Sequence, residues 1–209
     1  MSSTSTTTTT GFARRYIDES VAALERLDLS QVDAVKQELV DVRQRGGRLF
    51  IVGSGGGAGH ASHAVNDFRK IAGIEAYSPS DNVSELTARI NDEGWETSYS
   101  NWLAGSRLRA DDLVMVFSVG GGDVERGISA NLVNCIVHAR KVGARVCGIV
   151  GRDGGATARL ADACVVIPTV NQTLVTPHTE GLQAVVWHLL VSDPAMQREP
   201  TKWESVSQA

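Results

Sequence analysis

Three short apolar runs in this chain each break off into glycines. Residues 48–52, RLFIV, lead into Gly53-Ser-Gly-Gly-Gly57; residues 112–118, DLVMVFS, lead into Gly120-Gly-Gly122; residues 145–150, RVCGIV, lead into Gly151-Arg-Asp-Gly-Gly155. Continuous apolar runs of this length suit strands buried on both faces. Such strands are parallel, and parallel neighbours need long crossovers, usually helical. The segments between the runs supply them. A fourth run, residues 163–167, and a weaker one, residues 74–77, complete the set. The fold class predicted is α/β, a three-layer α-β-α sandwich with a mainly parallel central sheet and additional N-terminal helices. In such sheets ligands bind beyond the carboxyl ends of the strands, so the three glycine turns are expected to surround one cleft.

Helical patterning extends over residues 12–46, with a break at Asp28–Ser30. It returns over residues 59–72, 83–89, 95–105, 124–142, around 157–161, and over 179–191 ahead of Asp193-Pro194. These elements make one domain, residues 11–195. The Ser/Thr-rich residues 1–10 are expected to be a disordered tail and residues 196–209 a polar one. No apolar run approaches the roughly 18 residues of a membrane helix, and the first ten residues do not form a secretory signal. A net charge of −4 without a long basic block argues against nucleic-acid or membrane-surface partners. Cys135, Cys147 and Cys164 are scattered without a C-x-x-C pair, which fits a reducing, cytoplasmic setting.

Gly53-x-Gly55-x-x-Ala58 matches the dinucleotide fingerprint, with Glu75 at about the right distance. Bare backbone N–H groups at a helix start suit any phosphate, however. A single such turn can equally be a tight connection with no ligand; two, with a third glycine-rich turn, favour a ligand cleft. After the first turn come His60, His63 and Asp67, all on one helix face. An i,i+4 His/carboxylate pair can ligate a divalent metal or act as an acid–base couple; in isolation it also fits a solvated helix start. His188 lies in an apolar helix, where a histidine is usually core or interface. Trp95, Trp102 and Trp187 read as core or subunit contacts, His178 as a surface or supporting residue. Asp81 and Ser84 are weaker site candidates.

Residues 50–67, FIVGSGGGAGHASHAVND, with 81–96, DNVSELTARINDEGWE, 111–123, DDLVMVFSVGGGD, 148–155, GIVGRDGG, and 175–190, VTPHTEGLQAVVWHLL, resemble the SIS (sugar isomerase) domain in order and spacing. Within it they are similar to the phosphoheptose isomerases, over residues 12–191. The resemblance implies interconversion of sedoheptulose 7-phosphate and a heptose 7-phosphate through an enediol, by a homotetramer with active sites at subunit contacts. It implies a phosphosugar held by the first two loops: Ser54, Gly55, Gly56 and Gly57, then Ser118, Val119, Gly120 and Asp123, with Asn91 and Asp92 near the sugar. His63 and Asp67 stand at a family His and Glu, ligands in metal-bound members, the carboxylate also being the proposed base. Glu180 and His188 stand at a family Gln and His that complete the site. The implied catalytic pair is Asp67 and His188, and the implied metal set is His63, Asp67, Glu180 and His188, donors that suit zinc.

The loops depart from the family pattern. Ser54 replaces an Asn, Gly57 a Ser, Val119 a Thr, Gly120 a Ser, Gly122 an Asn and Asp123 a Ser. A carboxylate about 4 Å from a phosphate repels it by roughly 4 kcal/mol at an effective dielectric near 20, so Asp123 must turn away, be offset by a cation such as Arg126, or face a ligand without phosphate there. As sequence, Asp123 also reads as a helix N-cap. Eight residues separate Glu180 from His188, about 12 Å of regular helix. Either Glu180 lies in the turn after Pro177, or the two residues serve different copies of the site. The other function class is a non-catalytic SIS module that senses a phosphosugar or docks a partner, a reading the lost hydroxyls favour.

Overall fold

The computed structural model describes residues 9–206. Two helices open the chain, α1 (Thr9–Glu25) and α2 (Leu29–Gln44). The alternating elements follow: β1 (Leu49–Gly53), α3 (Gly56–Lys70), β2 (Ala76–Tyr77), α4 (Val83–Glu93), α5 (Ser98–Gly105), β3 (Leu113–Ser118), α6 (Ala130–Val142), β4 (Arg145–Val150), α7 (Gly155–Leu160), β5 (Ala163–Val166), α8 (Val175–Ser192) and α9 (Lys202–Val206). The break before α2 is where the sequence places it, and Asp28 caps that helix by accepting the Ser30 amide at 3.0 Å.

Every strand pair is parallel, in the order β2-β1-β3-β4-β5. All of β1 and β3 is buried, and successive side chains enter opposite layers. Leu49, Ile51, Leu113, Met115 and Phe117 pack with α2, α3 and α8 on one face. Phe50, Val52, Val114 and Val116 pack with α5 and α6 on the other. This is the expected three-layer sandwich. The strand order reverses between β1 and β3, so the crevice for a ligand opens at their carboxyl ends, where the first two glycine turns lie.

Three expectations need correction. The helix expected from Val124 begins only at Ala130. Asp123 and Ile128 instead exchange two backbone hydrogen bonds, of 2.9 and 3.0 Å, as an isolated antiparallel bridge. Gly127, at φ +64°, turns the chain between them. Asp123 is therefore not the cap of α6; its Oδ1 accepts the amides of Glu125 and Arg126, each at 3.0 Å. Helix α8 starts four residues early, at Val175, because Pro177 falls in its first turn, where no N–H donor is needed. Finally, the segment from residue 196 is not simply a tail: Met196 is fully buried, the amides of Arg198 and Glu199 bond the Ile71 carbonyl, and α9 follows. At the other end Thr9 and Thr10 belong to α1; the rest of the expected disordered tail lies outside the described residues.

Candidate functional site

The first turn is an amide cradle. Strand β1 delivers the chain to Gly55, whose φ of 58° and ψ of −123° suit only glycine. The amides of Gly57 and Ala58 fold back onto Ser54 and Gly55 carbonyls at 3.1 and 3.0 Å. Those of Gly55 and Gly56 find no acceptor among the described residues, as expected at a helix start. A Cβ at position 57 would stand 2.7 Å from the Phe117 carbonyl oxygen, so β3 comes too close for a hydroxyl-bearing residue there. Two buried side chains brace the cradle. Tyr99 donates to the Gly53 carbonyl at 2.7 Å, and the Asn131 amide donates to Ser54 Oγ at 3.1 Å. Asn131 Oδ1 is buried without a partner.

The second turn is locked to the third. Ser118 Oγ accepts the Gly121 amide at 3.0 Å, so the hydroxyl kept from the family pattern braces its own loop. The Gly121 carbonyl takes the amide and hydroxyl of Thr157, at 2.9 and 2.8 Å, and the Gly122 carbonyl takes the Ala156 amide at 2.8 Å. Gly151 donates to Val119 at 3.1 Å. Buried Gln183 clamps both strand ends, donating to Ser118 at 3.0 Å and to Ile149 at 2.8 Å. Arg126 partly offsets Asp123: its Nε lies 3.7 Å from Oδ2.

Helix α3 carries the chain from the cradle to a cluster of titratable groups. His63, Asp67 and His188 place one donor atom each within 4.8 Å of one another. His63 Nε2 is 3.7 Å and His188 Nε2 3.9 Å from Asp67 Oδ2. The other Asp67 oxygen accepts the Asn66 amide at 2.8 Å. His188 Nδ1 lies 2.7 Å from the Ala184 carbonyl. A carbonyl only accepts, so Nδ1 carries a hydrogen and Nε2 is the ring nitrogen that faces Asp67. Fully buried Trp187 backs the cluster, stacked on His188 at 3.5 Å between ring centroids and edge-on to His63 at 4.8 Å.

Glu180 stands apart from this cluster. Its carboxylate lies against Gly56, where an added Cβ would come within 2.5–2.6 Å of it. With Glu180 beside Gly56 and His188 beside Asp67, α3 and α8 run side by side in one direction. Both residues belong to α8, which removes the arrangement with Glu180 in a preceding turn. The cradle with Glu180 and the cluster with His188 are thus separate along α8, about 12 Å apart.

The remaining candidates lie elsewhere. His60 is on α3 but outside the cluster. Asn91 and Asp92 are exposed near the end of α4, hydrogen-bonded to each other at 2.7 Å. Ser84 is in the first turn of α4, and Asp81 caps a short turn through the Ser78 amide at 2.8 Å. His178 is not a surface residue: it is buried, bonded to Glu19 at 2.9 Å and stacked on Tyr16. Trp102 and Trp187 are core, while Trp95 is exposed. Glu75, the acidic residue of the dinucleotide match, accepts the Tyr77 hydroxyl at 2.9 Å. Sequence reasoning missed Asn131 and Gln183; a polar residue on the apolar face of a helix was the available signal.

Residues 15–151 match the model of the SIS domain family. The chain is 32% identical over 183 residues to the lincomycin biosynthesis protein LmbN of Streptomyces lincolnensis, covering 85% of this chain and 66% of that one. It is 26% identical to a phosphoheptose isomerase of Aneurinibacillus thermoaerophilus, covering 83% and 84%. The structure of phosphoheptose isomerase GmhA from Neisseria gonorrhoeae superposes with a TM-score of 0.76 at 21% identity, over 88% of this chain and 97% of that one. The chain belongs to the SIS domain family.

Proposed function

We propose that this SIS-domain chain is a phosphosugar aldose–ketose isomerase that interconverts sedoheptulose 7-phosphate and a heptose 7-phosphate. The observation that carries the reading is the Asp67 carboxylate set between two imidazoles, one helix segment away from an amide cradle. A substrate whose carbonyl and phosphate lie at opposite ends suits a chain that carries proton-transfer groups on α3 and α8 and backbone amide donors at its glycine turns. The phosphoheptose isomerases among its relatives support the same reaction.

Asp67 takes the proton from the carbon beside the carbonyl and returns it to the other carbon, while His188, through Nε2, takes a proton from one oxygen and returns it to the other, by way of a cis-enediol. Trp187 holds the His188 ring in place, and the Ala184 carbonyl fixes its tautomer. The donor set also fits a divalent metal, zinc first. Tetrahedral coordination with bonds of about 2.0–2.2 Å needs donors roughly 3.3–3.6 Å apart, so the separations of 3.7 and 3.9 Å to Asp67, within a set that spans up to 4.8 Å, would have to shorten by side-chain rotation. His63, Asp67 and His188 would hold the ion and leave a position open, and it would polarise the sugar carbonyl. Glu180 would act at the cradle or at a neighbouring copy of the site.

The working unit is a homo-oligomer, a tetramer with shared sites. Val185 and Leu189 flank His188 on α8 and are exposed, as are Ile17 and Val21 on α1; a partner covering α8 would enclose the cluster. No helix among the described residues is long and apolar enough to cross a membrane, and three free buried thiols suit a reducing cytoplasm.

The test is conversion of sedoheptulose 7-phosphate followed by NMR with metal-loaded protein. Absence of turnover, with the phosphosugar still bound, would replace this reading by the regulatory one, which the carboxylates of Glu180 and Asp123 beside the two turns favour.

A further inference from the structure

The second and third glycine turns border a cavity of about 430 Å³ lined by three arginines, Arg126, Arg152 and Arg159. Gly120, Gly122 and Gly155 contribute backbone to the same lining. The carboxylates in it are already engaged by backbone amides. Asp123 accepts from Glu125 and Arg126, each at 3.0 Å, and Asp153 accepts from Gly155 at 3.3 Å. Among the described residues Arg152 and Arg159 have neither an acidic partner nor a side-chain hydrogen bond, and Arg126 meets Asp123 only at 3.7 Å. Arg152 and Arg159, unpaired among the described residues, and Arg126 give this one cavity a cationic lining that suits an anion.

Arg152 is placed there at some cost. Its φ is +55°, a left-handed conformation that a side chain disfavours. Its stem crosses the second turn: a Cβ at Gly120 would lie 3.4 Å from Arg152 Cδ. The chain thus lacks a hydroxyl residue at position 120 at the place where a guanidinium side chain passes overhead. A phosphate monoester is the anion that planar guanidinium groups bind best, by paired N–H donors.

We propose that Arg126, Arg152 and Arg159 form the site for the substrate's phosphate, replacing the loop hydroxyls that the second turn lacks. The inference rests on the isomerase reading for the identity of the ligand, and on the cavity alone for its chemistry. A phosphate here sits beyond the carboxyl ends of β3 and β4.

The first arm needs no turnover. Inorganic phosphate is titrated calorimetrically into the full-length protein, its Arg152→Ala/Arg159→Ala variant and an Arg14→Ala charge control on the exposed face of α1. The arginine variant is expected to bind phosphate about tenfold more weakly or worse, with the control unchanged. Both arginines are exposed, and an unchanged melting temperature confirms that the variant is folded. In the second arm KM for sedoheptulose 7-phosphate should rise about tenfold while kcat stays within about twofold, and inorganic phosphate should inhibit competitively. Phosphate binding equal to wild type in the double variant overturns the proposal, as does noncompetitive inhibition, which would mark a separate effector site. If wild type turns over no heptulose phosphate but the calorimetric loss is seen, the anion site stands and only the isomerase reading fails.

Discussion

Oδ2 of Asp67 lies 3.9 Å from Nε2 of His188, too far for a hydrogen bond, while Nδ1 of the same ring is engaged by the Ala184 carbonyl. A carboxylate oxygen and a ring nitrogen facing one another in this way can hold a cation between them. Zinc should therefore raise the melting temperature of the metal-free protein. Mass action gives about 2.7 kcal/mol at a free ion concentration of a hundred times Kd. His63→Ala and His188→Ala should each lose most of this shift. Scanning calorimetry with and without a chelator makes the measurement; a wild type indifferent to zinc, cobalt and manganese would remove the metal from the site.

Asp67→Asn keeps the shape of the side chain and removes its basicity. Loss of a positioned general base costs roughly 10²–10⁴ in rate, so kcat should fall by that order in the NMR assay. The variant should melt close to wild type, because Asp67, though its side chain is only 13% exposed, has no salt bridge to a Lys or Arg among the described residues. A carboxylate bound to a metal is a weaker base, so metal content must be determined in the same samples. Retained turnover with Asn at position 67 would move the base to another residue.

The strands were legible in the sequence because burial on both faces leaves an unbroken apolar run. The cluster was half legible. His63 and Asp67 stand one helical turn apart on α3, but nothing local ties them to His188; that juxtaposition comes from α3 and α8 packing side by side on the same sheet face. The start of α6 was hidden because the Asp123–Ile128 bridge is made by backbone groups, which any residues supply. Gly127 was the one visible warning. Asn131 was hidden for the opposite reason: it sits beside Leu132, Cys135 and Ile136 on a buried face and reads as a lapse in an apolar pattern. It proves to be the brace behind Ser54.

That brace makes a prediction about substrate binding. Asn131→Ala removes the donor to Ser54 and leaves a cavity in the core. The loss of a buried hydrogen-bonded amide should cost about 1–3 kcal/mol of stability, and KM should rise several-fold as Ser54 loses its fixed position. Ser54→Ala separates the two effects. It should raise KM to a similar degree, yet destabilise less, because Asn131 alone is left to find a partner. Equal KM values for wild type and Asn131→Ala would reduce Asn131 to a packing residue.

The three thiols should be inert in the folded protein. Burial pushes the Cys164 thiol up to about 12, and raises Cys135 and Cys147 as well. Thiolate is the reactive form, so at pH 8 a thiol reagent should label none of the three in the native state and all three in guanidinium chloride. Fast labelling of a native thiol would mean that the layer beneath α6 or the β4–β5 edge opens locally.

The contact between Glu19 and His178 links α1 to α8. Nε2 of buried His178 lies 2.9 Å from Glu19 Oε2, and Ser20 Oγ is 3.3 Å from the other ring nitrogen. This hydrogen bond is the main reason why the Glu19 carboxyl is held below the ordinary range. A carboxylate depressed in the folded state binds fewer protons there than in the unfolded chain. Its contribution is therefore complete above the unfolded value, about 4.3, and disappears as pH falls through the lower, folded one. Wild type should lose stability in that acid window and Glu19→Gln should lose less, so their melting curves should approach each other between about pH 5 and pH 3. His178 lies two residues before Glu180 on α8, so release of α1 loosens the helix turn that holds Glu180 against Gly56. Turnover should accordingly fail in Glu19→Gln at a lower temperature than global unfolding. If activity and melting instead shift together, α1 contributes to the fold alone.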